Sequence, residues 1–320
     1  ELSVISAIIL SNWEKCNQLP SFVNLEKVAN TLQFPINWFL EDINQPDNPC
    51  YFRSLKKASQ NYQNIAKAKL KISAAITEKI DEWIEFLSLY FPDIDIPDFM
   101  SLTNDDIEYI ALQCRKHWKL GIAPIPNMVE LLEGIGVIVV RDYISSEDMD
   151  GVSTWINGRP YIFLLADKNN YYRSRFDAAH ELGHLILHKN VPSHLYTRNN
   201  STYKIIEDQA NHFGSCFLLP AESISYQLTF PSLDNLTAVK QKWAVSIQAL
   251  IKRAESLNMI DSLQKGRLYK NISARGWRKC EPFDATTPVE KPQTLTSAIY
   301  VLLEEGGCSK SSLSEILNIS

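Results

Sequence analysis

Two histidines and a glutamate form the pattern in this sequence with the clearest chemistry. His180 and His184 are four residues apart, so on a helix both imidazoles lie on one face and can bind the same metal ion. Glu181, beside the first histidine, can then take a proton from the water that such an ion activates. The rest of this segment is apolar, and ionisable groups on a helix built for a core need partners. The spacing therefore predicts a metal-dependent hydrolase.

The third protein ligand is less clear from the residues alone. Zinc hydrolases normally use three protein ligands and leave a fourth position for water. His188 continues the register of the histidine pair, but the helix macrodipole favours it as a helix C-terminal residue. A carboxylate from a packed neighbouring helix is the better candidate, and Glu207 lies on such a helix. Asp208, on a different face, is the alternative, and His212 is either a supporting or a core histidine.

A small sheet and several helices are predicted around the motif, which makes the fold class α+β and mostly helical. The turn pair Asn157-Gly158 favours a tight hairpin, because both residues tolerate positive φ angles. The predicted elements are a helix from Thr103 to about Trp118, a short helix after Pro124 that Gly134 stops, a strand over 137–140, hairpin strands over 151–156 and 161–165, and a helix over 171–188.

The first hundred residues read as two further segments. Residues 1–46 hold short helices that form a small compact unit. In the linker 47–100, apolar side chains recur every three or four residues from Leu55 to Tyr90, which predicts one long amphipathic helix ending at Phe91-Pro92. This helix either pairs two chains into a homodimer as a coiled coil or lies along its own catalytic domain.

Composition excludes several classes of protein. The 320 residues carry 32 basic and 37 acidic side chains, a net charge of -5, so bulk charge gives no reason to coat nucleic acid or an anionic membrane. The six cysteines are scattered without a C-x-x-C pair, which favours a reduced, cytoplasmic protein. No segment has the length and apolarity of a membrane span. The first residue is Glu1, so we expect upstream sequence to be missing.

The metal-motif segments resemble a known family. Residues 175–188, Glu207-x-x-Ala210-Asn211-x-Phe213 and the run 217–220 look like the ImmA/IrrE family of metallo-endopeptidases, and residues 150–153 resemble the segment before that family's edge strand. Residues 124–127 and 275–279 resemble the long members, which join an XRE-type helix-turn-helix to the peptidase. The resemblance covers nearly the whole chain and is loosest over residues 47–100.

The resemblance implies a zincin-like peptidase domain, in which a small sheet lies beside the HExxH helix. His180, His184 and Glu207 would bind zinc, with manganese as the alternative, and Glu181 would be the general base. The implied domains are a partial helix-turn-helix over 1–46, the linker over 47–100, the peptidase over 101–270 and a helical extension over 271–320. An edge strand would bind an extended substrate by strand addition, through Tyr161, Phe163 and Leu165.

The N-terminal segment resembles the back part of an XRE-type helix-turn-helix, without its first helix. Ala7, Ile8 and Asn12 occupy the place of the DNA-contacting residues. Apolar side chains there recognise little beyond thymine methyl groups. The segment is therefore either a weak DNA-binding module or a remnant that serves docking or dimerisation.

The functional hypothesis is a cytoplasmic zinc endopeptidase that cleaves a regulatory protein such as a DNA-binding repressor, with operator DNA as a further partner. The alternative is an XRE-type transcriptional regulator or antitoxin whose peptidase-like domain senses a ligand or metal without turnover. The intact catalytic glutamate favours the enzyme. The residues considered as oxyanion donors are each better explained as structural: Tyr171, Tyr172, Arg173 and Arg175.

Overall fold

The structure is a computed structural model, and it describes residues 5–40, 50–52, 60–96, 98–146, 149–192, 195–196 and 201–318. Two compact units are present. The smaller one comprises Glu1–Gln45, Ala75–Glu85 and Leu295–Ser320, and the larger one comprises Pro46–Ala74 and Phe86–Thr294. The predicted domains end at residues 46, 100 and 270. The larger unit instead continues to Thr294 and so includes residues 271–294.

The smaller unit is helical. Helix α1 (Ala7–Glu14) and helix α2 (Phe22–Leu32) begin at the serine caps Ser6 and Ser21, and a 3-10 turn follows at Ile36–Phe39. The short helices predicted for the N-terminal segment are thus confirmed. Ala7 and Ile8 are exposed and Asn12 is half-buried, but their contact with DNA stays a prediction.

The long linker helix is shorter than predicted. Helix α3 (Gln60–Asp81) ends ten residues before Phe91, and residues 85–96 have no regular structure; Leu55 lies outside the described residues. The backbone of Tyr90 bonds elsewhere instead: its N–H donates to Ile135 O (3.1 Å) and its carbonyl accepts from Trp118 Nε1 (2.6 Å). The prediction of a helix up to Phe91 is therefore wrong, because the apolar residues near Tyr90 belong to an extended segment of the larger unit.

Part of the apolar face of α3 is covered within the chain. Ala66, Leu70 and Ala74, in the larger unit, are buried, and Lys69 forms an ion pair with Asp142. These contacts favour the expectation that the helix lies along its own catalytic domain. The homodimer stays a prediction.

A mixed four-stranded sheet lies in the larger unit. Its strands are β1 (Tyr51–Phe52), β2 (Ile138–Asp142), β3 (Gly151–Ile156) and β4 (Arg159–Leu165), in the order β1-β3-β4-β2. Strands β3 and β4 form the predicted hairpin, and its turn residues Asn157 and Gly158 have φ angles of 48° and 81°. Strand β2 is parallel to β4, and β1 is antiparallel to β3.

The prediction that residues 161–165 form an edge strand is wrong. Strand β4 pairs with β3 on one side and β2 on the other, so its backbone has no open edge for a substrate. Tyr161, Phe163 and Leu165 are buried, at 2%, 0% and 6% exposure. The alternation of side chains along this segment correctly predicted a strand. A local pattern cannot show which strands lie beside it in the sheet.

Helices cover this sheet and supply most of the core. Side chains of β4 such as Ile162 and Leu164 share one apolar cluster with Ala178, Leu182 and Leu185. The helices of this unit, besides the start of α3, are α4 (Asn104–His117), α5 (Met128–Gly134), α6 (Tyr171–Leu187), α7 (Ser201–Leu218), α8 (Ala221–Ile224), α9 (Leu233–Trp243), α10 (Ile247–Ser256) and α11 (Ser262–Ala274), with 3-10 turns at Phe99–Ser101 and Ser225–Gln227. Helix α12 (Thr294–Glu304) and helix α13 (Lys310–Leu317) lie towards the C-terminus.

The predicted helix starts and stops are largely confirmed. Helix α4 starts as predicted after Thr103, which forms a capping box with Asp106, and α5 and α6 fall where the sequence placed them. Within the described residues, no helix is long and apolar enough to cross a membrane.

Thiol reactivity tests the packing of the larger unit. Burial raises the pKa of Cys114 and of Cys216 to about 12, whereas Cys16 and Cys280 are exposed. Because only the thiolate reacts, iodoacetamide at pH 8 should alkylate the two buried thiols at least about a hundredfold more slowly than the two exposed ones. Peptide mass spectrometry over time measures these rates. Equal labelling of all four would contradict the packing described.

Candidate metal centre

Helix α6 presents the HExxH residues inside the larger unit. Asn170 caps the start of the helix, and its side chain accepts a hydrogen bond from Arg173 N (3.1 Å). Ten residues further on, His180, Glu181 and His184 are each 0% exposed. A surface helix with unrelated histidines is therefore excluded, and the three polar side chains lie in a core.

Helix α7 packs very closely against α6. A Cβ atom on Gly214 would lie 3.2 Å from the backbone nitrogen of His180, and one on Gly183 would lie 3.1 Å from the ring of Phe213. These distances are tight for side-chain contacts, so glycine at both positions permits the approach. As a result, the Glu207 carboxylate reaches the two histidines.

The three predicted ligands come together. The Nε2 atoms of His180 and His184 are 3.0 Å apart. Glu207 Oε1 lies 3.3 Å from His184 Nε2, and its Oε2 lies 3.6 Å from His180 Nε2. Around a tetrahedral zinc with bonds of about 2.0–2.1 Å, neighbouring ligand atoms are roughly 3.3 Å apart. The donor types and spacings therefore fit a zinc ion.

Strand β3 positions the Glu181 carboxylate. Ser153 Oγ donates a hydrogen bond to Glu181 Oε2 (2.6 Å). A Cβ atom on Gly151 would lie only 2.9 Å from Oε1 of the same carboxylate, so a larger residue there would displace the carboxylate from this position. The sequence signal for this contact was weak, since residues 150–153 were noted only for their resemblance to a family segment.

Tyr196 is a site residue that sequence reasoning missed. Its hydroxyl donates to Glu207 Oε1 (2.9 Å) and lies 3.1 Å from His184 Nε2. Burial, with the neighbouring Glu207 carboxylate, raises the pKa of Tyr196 well above its ordinary value, so the hydroxyl keeps its proton. No motif surrounds Tyr196 in the sequence, and only the tertiary structure brings it to the candidate ligands His184 and Glu207.

The alternative third ligands lie elsewhere. Asp208 is exposed on another face of α7. His188 is fully buried, and its Nε2 lies 2.9 Å from Gln209 Oε1, with its Nδ1 3.0 Å from His184 Nδ1. Burial, and secondly the adjacent His184, lowers the pKa of His188 to about 3, so its ring is neutral.

The residues considered as oxyanion donors have structural partners. Arg175 is buried and donates to the carbonyl of Ile125 (2.6 Å) while pairing with Glu290. Arg173 donates to the carbonyl of Arg278 (3.2 Å). The Tyr172 hydroxyl lies 3.4 Å from Thr287 Oγ1, and the Tyr171 ring packs on that of Tyr172.

A second group of metal-binding side chains, Glu108, His212 and Cys216, fits a metal less well. The buried Arg253 guanidinium pairs with the Glu108 carboxylate and lies 3.4 Å from Cys216 Sγ. The Arg253 guanidinium already balances the charge of the Glu108 carboxylate. The raised pKa of Cys216 keeps its thiol protonated. Glu108, Cys216 and Arg253 therefore tie together α4, α7 and α10.

An open cleft begins about one turn from the ligands. Its volume is about 620 Å³, and its lining includes Asp177 and Asn211. Asp177 precedes His180 by three residues, and Asn211 follows Glu207 by four and donates to its carbonyl (2.8 Å). Two further polar residues line the cleft: Asp150, which directly precedes β3, and Lys252.

A known family model matches the part of the chain that holds this site. Residues 132–255 match the family model Peptidase_M78, described as an IrrE N-terminal-like domain. The match covers less than half of the chain but includes both α6 and α7. It supports the resemblance to the ImmA/IrrE family and a metallopeptidase-like function. No curated protein matches the chain.

The contact between α6 and α7 can be tested at Gly214. Gly214→Ala should destabilise the metal-free protein by about 1–3 kcal/mol, because the added methyl meets backbone atoms of Ala179 and His180. Urea denaturation measures the change. The matched control is Gly266→Ala in α11, where the methyl meets open space and should stabilise by about 0.5–1 kcal/mol. Similar effects at both sites would refute the close approach.

Proposed function

We propose that the protein is a zinc-dependent endopeptidase. The observation that carries this proposal is the convergence of His180, His184 and Glu207 beside a Glu181 carboxylate held by Ser153. A site that only senses a metal has no need of a general base such as Glu181. The donor set would also accept manganese, but two imidazoles and one carboxylate at these spacings favour tetrahedral zinc.

The residues of the chain divide the work of peptide hydrolysis. Zinc held by His180, His184 and Glu207 would supply Lewis acidity, which would make water more acidic and the scissile carbonyl more electrophilic. Glu181 accepts the proton as the water oxygen bonds to the carbonyl carbon, and it passes that proton to the amine nitrogen as the C–N bond breaks. Ser153 keeps the carboxylate oriented throughout, since its hydroxyl donates to Oε2.

Tyr196 completes the site as a hydrogen-bond donor to the developing oxyanion. In the metal-free protein the hydroxyl donates to Glu207 Oε1 (2.9 Å) and lies 3.1 Å from His184 Nε2; with zinc and substrate bound, it would turn this proton to the oxyanion. A preorganised donor at that position stabilises negative charge that forms on the carbonyl oxygen.

The substrate and partners follow from the resemblance and not from the site. A peptide substrate would enter through the cleft that Asp177 and Asn211 line, and a repressor-type DNA-binding protein is the proposed substrate. Operator DNA is the proposed partner of α1, through Ala7, Ile8 and Asn12. A cytoplasmic location is consistent with the six cysteines, none of which forms a disulfide among the described residues.

The general base is tested with Glu181→Gln. Each form of the full chain is co-expressed with the helix-turn-helix regulator encoded nearest to it, and bound zinc is measured in the purified protein. We expect wild type to cleave the regulator and Glu181→Gln to cleave at least about a hundredfold more slowly, with equal zinc in both. The glutamine keeps the shape of the side chain but accepts no proton.

Each other outcome of that experiment is informative. Equal cleavage by the two forms would remove Glu181 from the mechanism. Cleavage by neither form, with one zinc bound in each, would favour a regulator that senses metal without turnover.

The third ligand is tested separately. Zinc content unchanged by Glu207→Ala would exclude Glu207 as a ligand.

Tyr196→Phe separates transition-state stabilisation from metal binding. The variant lacks only the hydroxyl, so we expect kcat to fall by about 10²–10³ while zinc content and KM stay near wild type. Steady-state kinetics on the cleaved peptide give both constants. A rise in KM with kcat unchanged would show that the hydroxyl acts in substrate binding instead.

A further inference from the structure

We propose that His188 and Gln209 are positioning residues that fix which ring nitrogen of His184 faces the metal. The inference rests on the proposed zinc site and adds to it a buried relay, which runs from the backbone of Phe99 through Gln209 and His188 to His184. Every residue of this relay lies in the larger unit.

The relay starts from a group with only one hydrogen-bonding role. The carbonyl of Phe99 can only accept, and Gln209 Nε2 lies 2.6 Å from it. The amide group of Gln209 must therefore turn its nitrogen to Phe99 and its oxygen to His188, since the opposite orientation would bring two acceptors together. Gln209 is 6% exposed, so the protein interior holds this orientation.

The Gln209 amide then sets the tautomer of His188. Gln209 Oε1 lies 2.9 Å from His188 Nε2 and can only accept, so Nε2 of His188 carries the proton. In a neutral imidazole the other nitrogen is then an acceptor. Nδ1 of His188 therefore turns a lone pair towards Nδ1 of His184, 3.0 Å away.

The last step places the proton of His184 itself. Nδ1 of His184 must donate to His188, which leaves the lone pair of His184 on Nε2, the nitrogen beside His180 and Glu207. The Tyr196 hydroxyl lies almost equally far from both nitrogens of His184, at 3.1 Å and 3.2 Å. Its own proton goes to Glu207.

This relay has a specific consequence for the metal-free protein. Without His188, the Tyr196 hydroxyl oxygen 3.2 Å from Nδ1 and the Glu207 carboxylate 3.3 Å from Nε2 would compete for the His184 proton. The charged carboxylate is the stronger acceptor, so the proton would move to Nε2. That tautomer cannot offer Nε2 to a metal. The relay therefore keeps the metal-binding nitrogen deprotonated before any ion arrives, and outer hydrogen bonds of this kind commonly raise metal affinity by 10–100-fold.

The first test reads the tautomer directly, without zinc and without activity. The full chain is labelled with ¹⁵N-histidine, and long-range ¹H–¹⁵N spectra identify the protonated nitrogen of each of its six histidines. In wild type we expect His184 to be protonated at Nδ1 and His188 at Nε2. In His188→Leu we expect the His184 proton on Nε2.

Three variants separate positioning from packing. His188→Asn restores an acceptor oxygen near the place of Nδ1 and should keep the wild-type tautomer of His184. Gln209→Leu breaks the relay at a second point and provides a test if His188→Leu folds poorly. His117→Leu, at a half-buried histidine on α4, is the control for loss of a histidine elsewhere.

The second test measures zinc affinity by competition with a chromogenic chelator. We expect His188→Leu and Gln209→Leu to bind zinc about 10–100-fold more weakly than wild type, and His188→Asn and His117→Leu to bind close to wild type. A His188→Leu variant that keeps the Nδ1 tautomer and wild-type affinity would overturn the proposal. Equal losses in His188→Leu and His188→Asn would reduce His188 to a packing role and would also overturn it.

Failure of the zinc site itself would look different. If wild type and His184→Ala bind zinc equally weakly, the proposed metal centre is wrong, whatever the variants at position 188 do. If wild type binds zinc through His184 and only the tautomer prediction fails, the zinc site stands and the relay is rejected.

Discussion

The close packing of α6 on α7 is the constraint on which the site depends. The two helices run in opposite directions, since Gly183 faces Ala210 whereas His180 faces Gly214. In this register Glu207 points at the histidine pair. A shift of α7 by one residue would rotate it by about 100° and replace Glu207 with a neighbour such as Asp208, which is exposed. The proposed metal site therefore depends on helix packing at two glycines.

The same packing buries the carboxylates of Glu181 and Glu207, and each accepts a hydrogen bond from a nearby hydroxyl. Two carboxylates in a core are costly unless they are paired or hydrogen-bonded. Ser153 donates to Glu181, and Tyr196 donates to Glu207. On the far side of His184, His188 and Gln209 are neutral, so they orient the ligand without adding charge. A dication between the ligands would balance the two carboxylates.

The chemistry of the site was more predictable than its surroundings. The HExxH spacing needs only one helix. Periodicity placed Glu207 on another helix but left Asp208 open, and only the family resemblance selected Glu207. Strand order was not accessible, because the parallel pairing of β2 with β4 joins distant segments, and residues 161–165 were wrongly placed at an edge. The end of α3 was also misjudged, since apolar side chains near Tyr90 belong to an extended segment. Ser153, Tyr196 and the role of His188 depend on tertiary contacts that no spacing reveals.

The central claim is that zinc binds between α6 and α7, and an X-ray absorption spectrum at the zinc edge tests it most directly. The full chain with one equivalent of zinc should show only nitrogen and oxygen neighbours at about 2.0–2.1 Å, with the scattering pattern of two imidazoles. A sulfur neighbour at about 2.3 Å would contradict the claim, because it would place the ion at a cysteine such as Cys216, in the group with Glu108 and His212.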